Sequence, residues 1–160
     1  MNSTLFGLAL VLVIIVLRSV YTQWKRRRFA MLWKSGAEAV KNKDTAGAES
    51  AFRGCVRLAP TSAQVHLALG AVLAQRRKDK EAEEQLRLAA QLEPRKPLGH
   101  LELGFFLALC AQDRSNDAVA AFAEALKCAP NLRDTLARDP RLEGLRRHAE
   151  FQKLLNPVDG

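Results

Sequence analysis

Residues 63–94 read AQVHLALGAVLAQRRKDKEAEEQLRLAAQLEP, and this stretch decides the fold. It predicts a helix hairpin, with one helix over 62–76 and a second over 79–92. Asp79 reads as the N-cap of the second helix. Pro94 ends the unit, because proline cannot continue a helix. Gly70 on the first helix and Ala82 on the second are small enough to let the two axes approach closely, and Leu86 fills the space beside them. The charged run KDKEAEEQLR has the i,i+4 spacing of a solvated helix face and does not pair carboxylates for acid–base chemistry.

The same features recur on both sides of this hairpin. Gly36, Gly70 and Gly104 are each 34 residues apart; Pro60 and Pro94 are 34 apart, and Pro130 follows after 36. Ala48, Ala82 and Ala118 hold one phase, Phe52, Leu86 and Phe122 lie four residues on, and Cys55, Ala89 and Ala125 three further. The repeat predicts further helices near 29–42, 45–58, 97–111 and 115–128. Asp44 and Ser115 read as N-caps of second helices, and Thr61 or Ser62 as that of a first helix. The two extra residues of the third unit fall in CAQDRSN, a hairpin turn, where an insertion costs little.

This pattern resembles the tetratricopeptide repeat, whose signature runs W-x2-L-G-x2-Y, then A-x3-F, then P. The resemblance covers residues 29–132 as three repeats, 29–62, 63–96 and 97–132. It departs at the large aromatics: Leu32, His66 and His100 stand at the Trp position, Ala39, Leu73 and Leu107 at the Tyr position, and Ser35 at a Leu position. The resemblance implies an all-α fold of three hairpins in a right-handed α-solenoid. It also implies a concave groove, lined by the first helix of each hairpin, that takes a peptide or a partner helix. The matching positions are Ala30, Trp33, Ala37 and Val40, then Gln64, Leu67, Ala71 and Gln75, then Leu98, Leu101, Phe105, Ala108 and Leu109. This surface is mostly apolar and lacks the Lys, Arg and Asn pattern of similar repeats that clamp a C-terminal carboxylate. A hydrophobic or amphipathic segment is the expected ligand.

Repeat arrays need capped ends. Asp139-Pro140 reads as an N-cap followed by a first-turn proline. Leu142, Leu145, Phe151, Leu154 and Leu155 form an apolar face. Residues 133–155 are therefore expected to form a C-terminal cap, with a short helix over 131–138 and a second over 141–155, bent or broken near His148. Residues 156–160 form a tail. The cap either leaves the groove free or buries part of it.

At the other end, residues 5–17 read LFGLALVLVIIVL. With neutral flanks this extends from Thr4 to Tyr21, about 27 Å of helix. A cleaved signal peptide fits poorly, since no basic residue precedes the run and no small-x-small site follows it. A buried helix would sit badly beside the basic run Lys25 to Arg28. The expectation is a transmembrane anchor over 4–24 and a basic juxtamembrane segment over 25–28. Arg18, Lys25, Arg26, Arg27 and Arg28 are expected at lipid headgroups. The positive-inside rule then puts the N-terminus outside and the repeats in the cytoplasm, as in bacterial inner-membrane or mitochondrial outer-membrane proteins. With no Gly or Pro between Arg18 and Ser35, this helix can run into the first repeat helix as one rod.

The formal charge of +8 does not indicate nucleic-acid binding. Five of the 25 basic residues are Arg18 and the 25–28 run, and the other twenty face 17 acids, an ordinary balance. Three Cys without a CxxC fit reduced core residues. His66, His100 and His148 show no HxxH or HExxH spacing, and His66 and His100 read as packing substitutes for the family's aromatic. No P-loop, GxGxxG or GxSxG is present. No catalytic residue, metal site or cofactor is expected. The sequence points to a non-enzymatic, membrane-anchored adaptor that binds a protein partner. The alternatives are a constitutive small subunit of a membrane complex and a receptor for amphipathic precursor segments.

Overall fold

The computed structural model describes residues 2–110 and 114–156, with side chains from Leu10 onward. Every regular element among them is helical. The chain divides into two units, residues 1–59 and 60–160.

The first unit is one hairpin. Helix α1 (Asn2–Lys41) runs without interruption from the N-terminal apolar segment through the first repeat helix, and α2 (Thr45–Leu58) folds back on it. Among the described residues, no helix is long and apolar enough to cross a membrane. This corrects the expectation of an anchor over 4–24, part of which, residues 4–9, has side chains outside the described set. The unbroken apolar run ends at Leu17, and Arg18, Ser19, Thr22, Gln23 and the cations of 25–28 follow. A crossing needs about 20 mostly apolar residues. The outside N-terminus and the cytoplasmic placement fall with it, and the headgroup roles expected for Arg18, Lys25, Arg26, Arg27 and Arg28 lose the anchor they were derived from. Arg28 instead lies 5.5 Å from the ring centre of Trp24.

The second unit stacks α3 (Ala63–Gln75), α4 (Asp79–Leu92), α5 (Pro97–Cys110) and α6 (Ser115–Cys128), each packed on the next. A 3-10 turn over Pro130–Leu132 leads to α7 (Arg133–Arg138). A second, over Pro140–Leu145, leads to α8 (Ala149–Leu155). The single helix expected over 141–155 is thus broken, with His148 in extended backbone before α8. The third hairpin turn, residues 111–113, lies outside the described residues.

The sequence repeat is a packing repeat. Ala48, Ala82 and Ala118 are fully buried, and so are Cys55, Ala89 and Ala125. A methyl on Gly104 would stand 2.6 Å from the Phe122 ring, and one on Gly36 or Gly70 would meet Phe52 or Leu86 as closely. The glycine of each first helix is the socket for the large apolar residue of its second helix. Gly99 makes the tightest backbone approach, its missing methyl 2.7 Å from Cα of Ala90 on α4.

The first two hairpin turns share one geometry. Asp44 N–H donates to the Ala39 carbonyl and Lys78 N–H to the Leu73 carbonyl, the six-to-one bond of a Schellman ending. Lys43 (φ 60°) and Arg77 (φ 58°), 34 residues apart, take the left-handed position that this motif usually gives to glycine. Asp44 caps α2 through its carboxylate, which accepts from Gly47 N–H at 2.9 Å. Ser62 takes the N-cap position of α3 without a side-chain cap bond, and Asp139 caps the turn over Pro140–Leu145, whereas Asp79 and Ser115 are the first residues inside their helices. Asp79 instead places a carboxylate in the first turn, where it favours the positive end of the helix dipole.

The two histidines at the same phase of successive repeats act by hydrogen bonding. His66, buried, donates from Nε2 to the Pro60 carbonyl at 2.8 Å, and its Nδ1 stands 2.8 Å from the Gln85 side-chain amide. His100 makes the equivalent bond to the Pro94 carbonyl at 3.2 Å. Each ties a first helix to the proline that ended the preceding repeat.

Two predictions follow from these contacts. Arg77→Gly is expected to stabilise the chain by about 0.5–1 kcal/mol, because relief of about 1–2 kcal/mol of left-handed strain exceeds the entropy cost of a glycine. A lower denaturation midpoint would refute that turn geometry. Gly99→Ala is expected to destabilise by about 1–3 kcal/mol, since the methyl meets helix backbone that cannot rotate away. An unchanged midpoint would mean that α4 and α5 are not held this close.

Candidate partner-binding face

The groove positions are distributed over both units. In the first unit Trp33 is half-buried, 5.4 Å from the Phe52 ring and 6.2 Å from that of Phe29, so it belongs to the α1–α2 hairpin contact. Ala37 and Val40 are exposed.

In the second unit the positions lie on α3 and α5, which touch. On α3, Gln64, Ala71 and Gln75 are exposed and Leu67 is half-buried. On α5, Leu98 and Leu109 are 52% and 56% exposed. They are eleven residues apart, which brings them to the same side of a helix of 3.6 residues per turn. Leu101 and Ala108 beside them are half-buried.

Phe105 is the exception. It lies between Leu98 and Leu109 on this stripe but is only 8% exposed. One side of its ring meets Phe122 edge-on at 5.3 Å. The Arg141 guanidinium lies 3.7 Å from its centroid. Arg141 is itself held by Asp139, Nη2 to Oδ2 at 2.8 Å and Nε to Oδ1 at 3.0 Å. That contact holds the Asp139 carboxyl below its ordinary range. Leu142 and Leu145 are buried beneath the same turn, and Phe151 of α8 packs against Phe122 at 5.9 Å. The cap thus covers one groove residue and leaves its neighbours open.

A cleft of about 390 Å³ lies elsewhere on the second unit, with Ala90 and Gln91 on α4, Leu103 and Leu107 on α5, and Ala121 and Glu124 on α6 along its walls. Nothing in the repeat pattern marks it. Close by, Glu83 of α4 accepts from Arg114 at the start of α6 and from Arg87 one turn away. This link between helices also escapes sequence reading, because the partners are 31 residues apart. Cys55 and Cys110 have thiols pushed up by burial, which disfavours the reactive thiolate. Among the described residues, no three His, Cys, Asp or Glu stand close enough to hold a metal ion.

The Arg114 hydrogen bond holds the Glu83 carboxyl below its ordinary range. A carboxylate that binds its proton less readily when folded stabilises the fold above its unfolded pKa of about 4.3. That contribution is lost as pH falls through the lower folded value. Wild type is expected to lose up to about 1 kcal/mol more stability than Glu83→Gln between pH 6 and pH 3. Parallel stability curves for the two proteins would rule the link out as a stabilising contact.

Known structures share this arrangement of helices. A mutant O-GlcNAc transferase from Thermobaculum terrenum superposes with a TM-score of 0.59 at 21% identity, over 72% of this chain and 23% of the transferase. YrrB, described as a TPR protein with an unusual peptide-binding site, superposes at 0.60 with 18% identity, over 78% of this chain and 62% of YrrB. A chain of the CopN–Scc3 complex superposes at 0.56 with 18% identity, over 82% of this chain and 69% of that one. The chain thus spans less than two thirds of the transferase and of YrrB. At these identities the likeness is one of fold, that of tetratricopeptide-repeat proteins. No family model matches the chain, and no curated protein matches it.

Proposed function

We propose that this chain is a non-enzymatic adaptor that holds a partner protein on the open face of α3 and α5. The observation that carries the reading is the stripe on α5, where Leu98 and Leu109 stand exposed on the same helical side. On α3 the matching phases are Gln64 and Gln75, with Ala71 between them. Apolar anchors on one side and amides on the other suit an amphipathic segment, whose apolar residues would bury the leucines while its polar backbone meets the glutamines. Ala37 and Val40 of the first hairpin are a further exposed pair that a partner could contact. The fold shared with YrrB and with a chain of the CopN–Scc3 complex supports a protein ligand, since one is described as binding a peptide and the other as part of a complex.

The test compares the full chain with a Leu98→Glu, Leu109→Glu variant by crosslinking and co-purification from the native source. Both side chains are exposed, so the variant is expected to keep its circular dichroism spectrum and melting point. A buried charge opposite an apolar anchor costs several kcal/mol. Recovery of the specific partner is therefore expected to fall at least about tenfold. Recovery of the same proteins at the same yield would show that the face is not the binding site.

A further inference from the structure

The repeat allows a comparison within the molecule. Ala71 and Phe105 hold the same phase in successive first helices, 34 residues apart. Ala71 is exposed even though another hairpin follows it, so stacking the next hairpin does not by itself cover this position. Phe105 has a far larger side chain and no following hairpin, yet it is buried. Phe122 of α6 meets one side of its ring, and Arg141 of the segment Asp139–Leu145 lies over its face.

That segment has the anatomy of a docked linear motif. Pro140 fixes a tight turn, and Asp139 accepts from Arg141 N–H at 2.9 Å. Arg141 lies over the Phe105 ring, and Leu142 and Leu145, three residues apart, are 1% and 5% exposed. Glu102, one turn from Phe105 on α5 and half-buried, acts on the Arg141 charge together with Asp139. The α5 surface therefore presents an aromatic platform with a carboxylate beside it, a combination that selects a planar cation. A guanidinium suits both, stacking on the ring with its charge toward the carboxylate, while in the fold its hydrogen bonds go to Asp139.

We propose that Asp139–Leu145 is a built-in occupant of the α5 face, and that the partner segment received there has the same chemistry: an arginine that stacks on Phe105, followed by leucines three residues apart. This rests on the adaptor reading above. Partner and cap compete for one platform, so the cap lowers the apparent affinity by the fraction of time that it is docked. Arg141 is the contact most easily exchanged, because its side chain remains half exposed while Leu142 and Leu145 are enclosed.

The probe is an end-blocked, fluorescently labelled peptide of residues 138–147, RDPRLEGLRR, titrated by anisotropy against the full chain and its Arg141→Ala variant. The variant retains the buried leucines, and its melting curve is recorded first. The expected result is binding to the Arg141→Ala chain about tenfold tighter than to wild type. The same peptide with alanine at its Arg141 position is expected to lose about tenfold. Adding Glu102→Gln to the Arg141→Ala chain is expected to weaken binding severalfold. Equal affinity for both chains, no binding to either at millimolar peptide, or indifference to the peptide arginine would each overturn the proposal. Should Arg141→Ala fail to fold, hydrogen exchange on the wild-type chain decides: added peptide must deprotect the amides of 141–145 while α5 stays protected, and unchanged protection overturns the proposal. The two readings fail separately. A peptide that behaves as expected alongside a Leu98→Glu, Leu109→Glu variant that loses no partner leaves the self-docking and removes the adaptor. The reverse outcome removes only the arginine motif.

Discussion

The close approach of two helices at a glycine is the contact on which the rest of the second unit depends. Phe122 has no exposed surface and lies against the space where Gly104 lacks a side chain. Phe105 meets its edge and Phe151 of the cap meets its ring. One aromatic thus joins the third hairpin, the candidate face and the C-terminal cap. A larger residue at position 104 would displace the ring and, through it, both neighbours, because a close-packed interior passes strain on.

The departures from the repeat signature are resolved by polar chemistry. An aromatic at the position of His66 would fill volume; the histidine fills less and holds the Pro60 carbonyl instead. A buried polar side chain without a partner costs about 1–3 kcal/mol, so the Pro60 carbonyl satisfies the buried His66 ring and makes the junction specific as well as filled. The same bond at His100 is longer and more exposed. The array therefore carries one repeated device at two strengths.

The cap both completes the array and limits the face. A stack of hairpins ends on an apolar surface that must be covered. Leu136, Leu142, Leu145 and Phe151 cover it, all 5% exposed or less. Arg141 extends the same segment onto the stripe that runs between Leu98 and Leu109. Stabilising the end of the stack and narrowing the candidate face are therefore one structural act, carried out by neighbouring residues of one short turn.

The sequence by itself determined the hairpins, their order and their packing residues. A 34-residue period in Gly, Ala, large apolar and Pro is written in local spacing, and each of those residues acts on a helix face that spacing alone defines. It also located the proline turn at 139–140 and the helix break near His148. It overreached at the N-terminus, where the apolar run was extended through flanks that hold a charge and several hydroxyl and amide side chains. Tertiary structure alone decided which of the groove residues are open. Leu98, Phe105 and Leu109 are apolar and share one helical side, and contacts with Phe122 of the next helix and with Arg141, 36 residues downstream, separate the buried ring from its exposed neighbours. The Glu83–Arg114 link and the cleft walled by α4, α5 and α6 were hidden for the same reason. Periodicity assigns a residue to a face, but which faces meet is settled by the three-dimensional path of the chain.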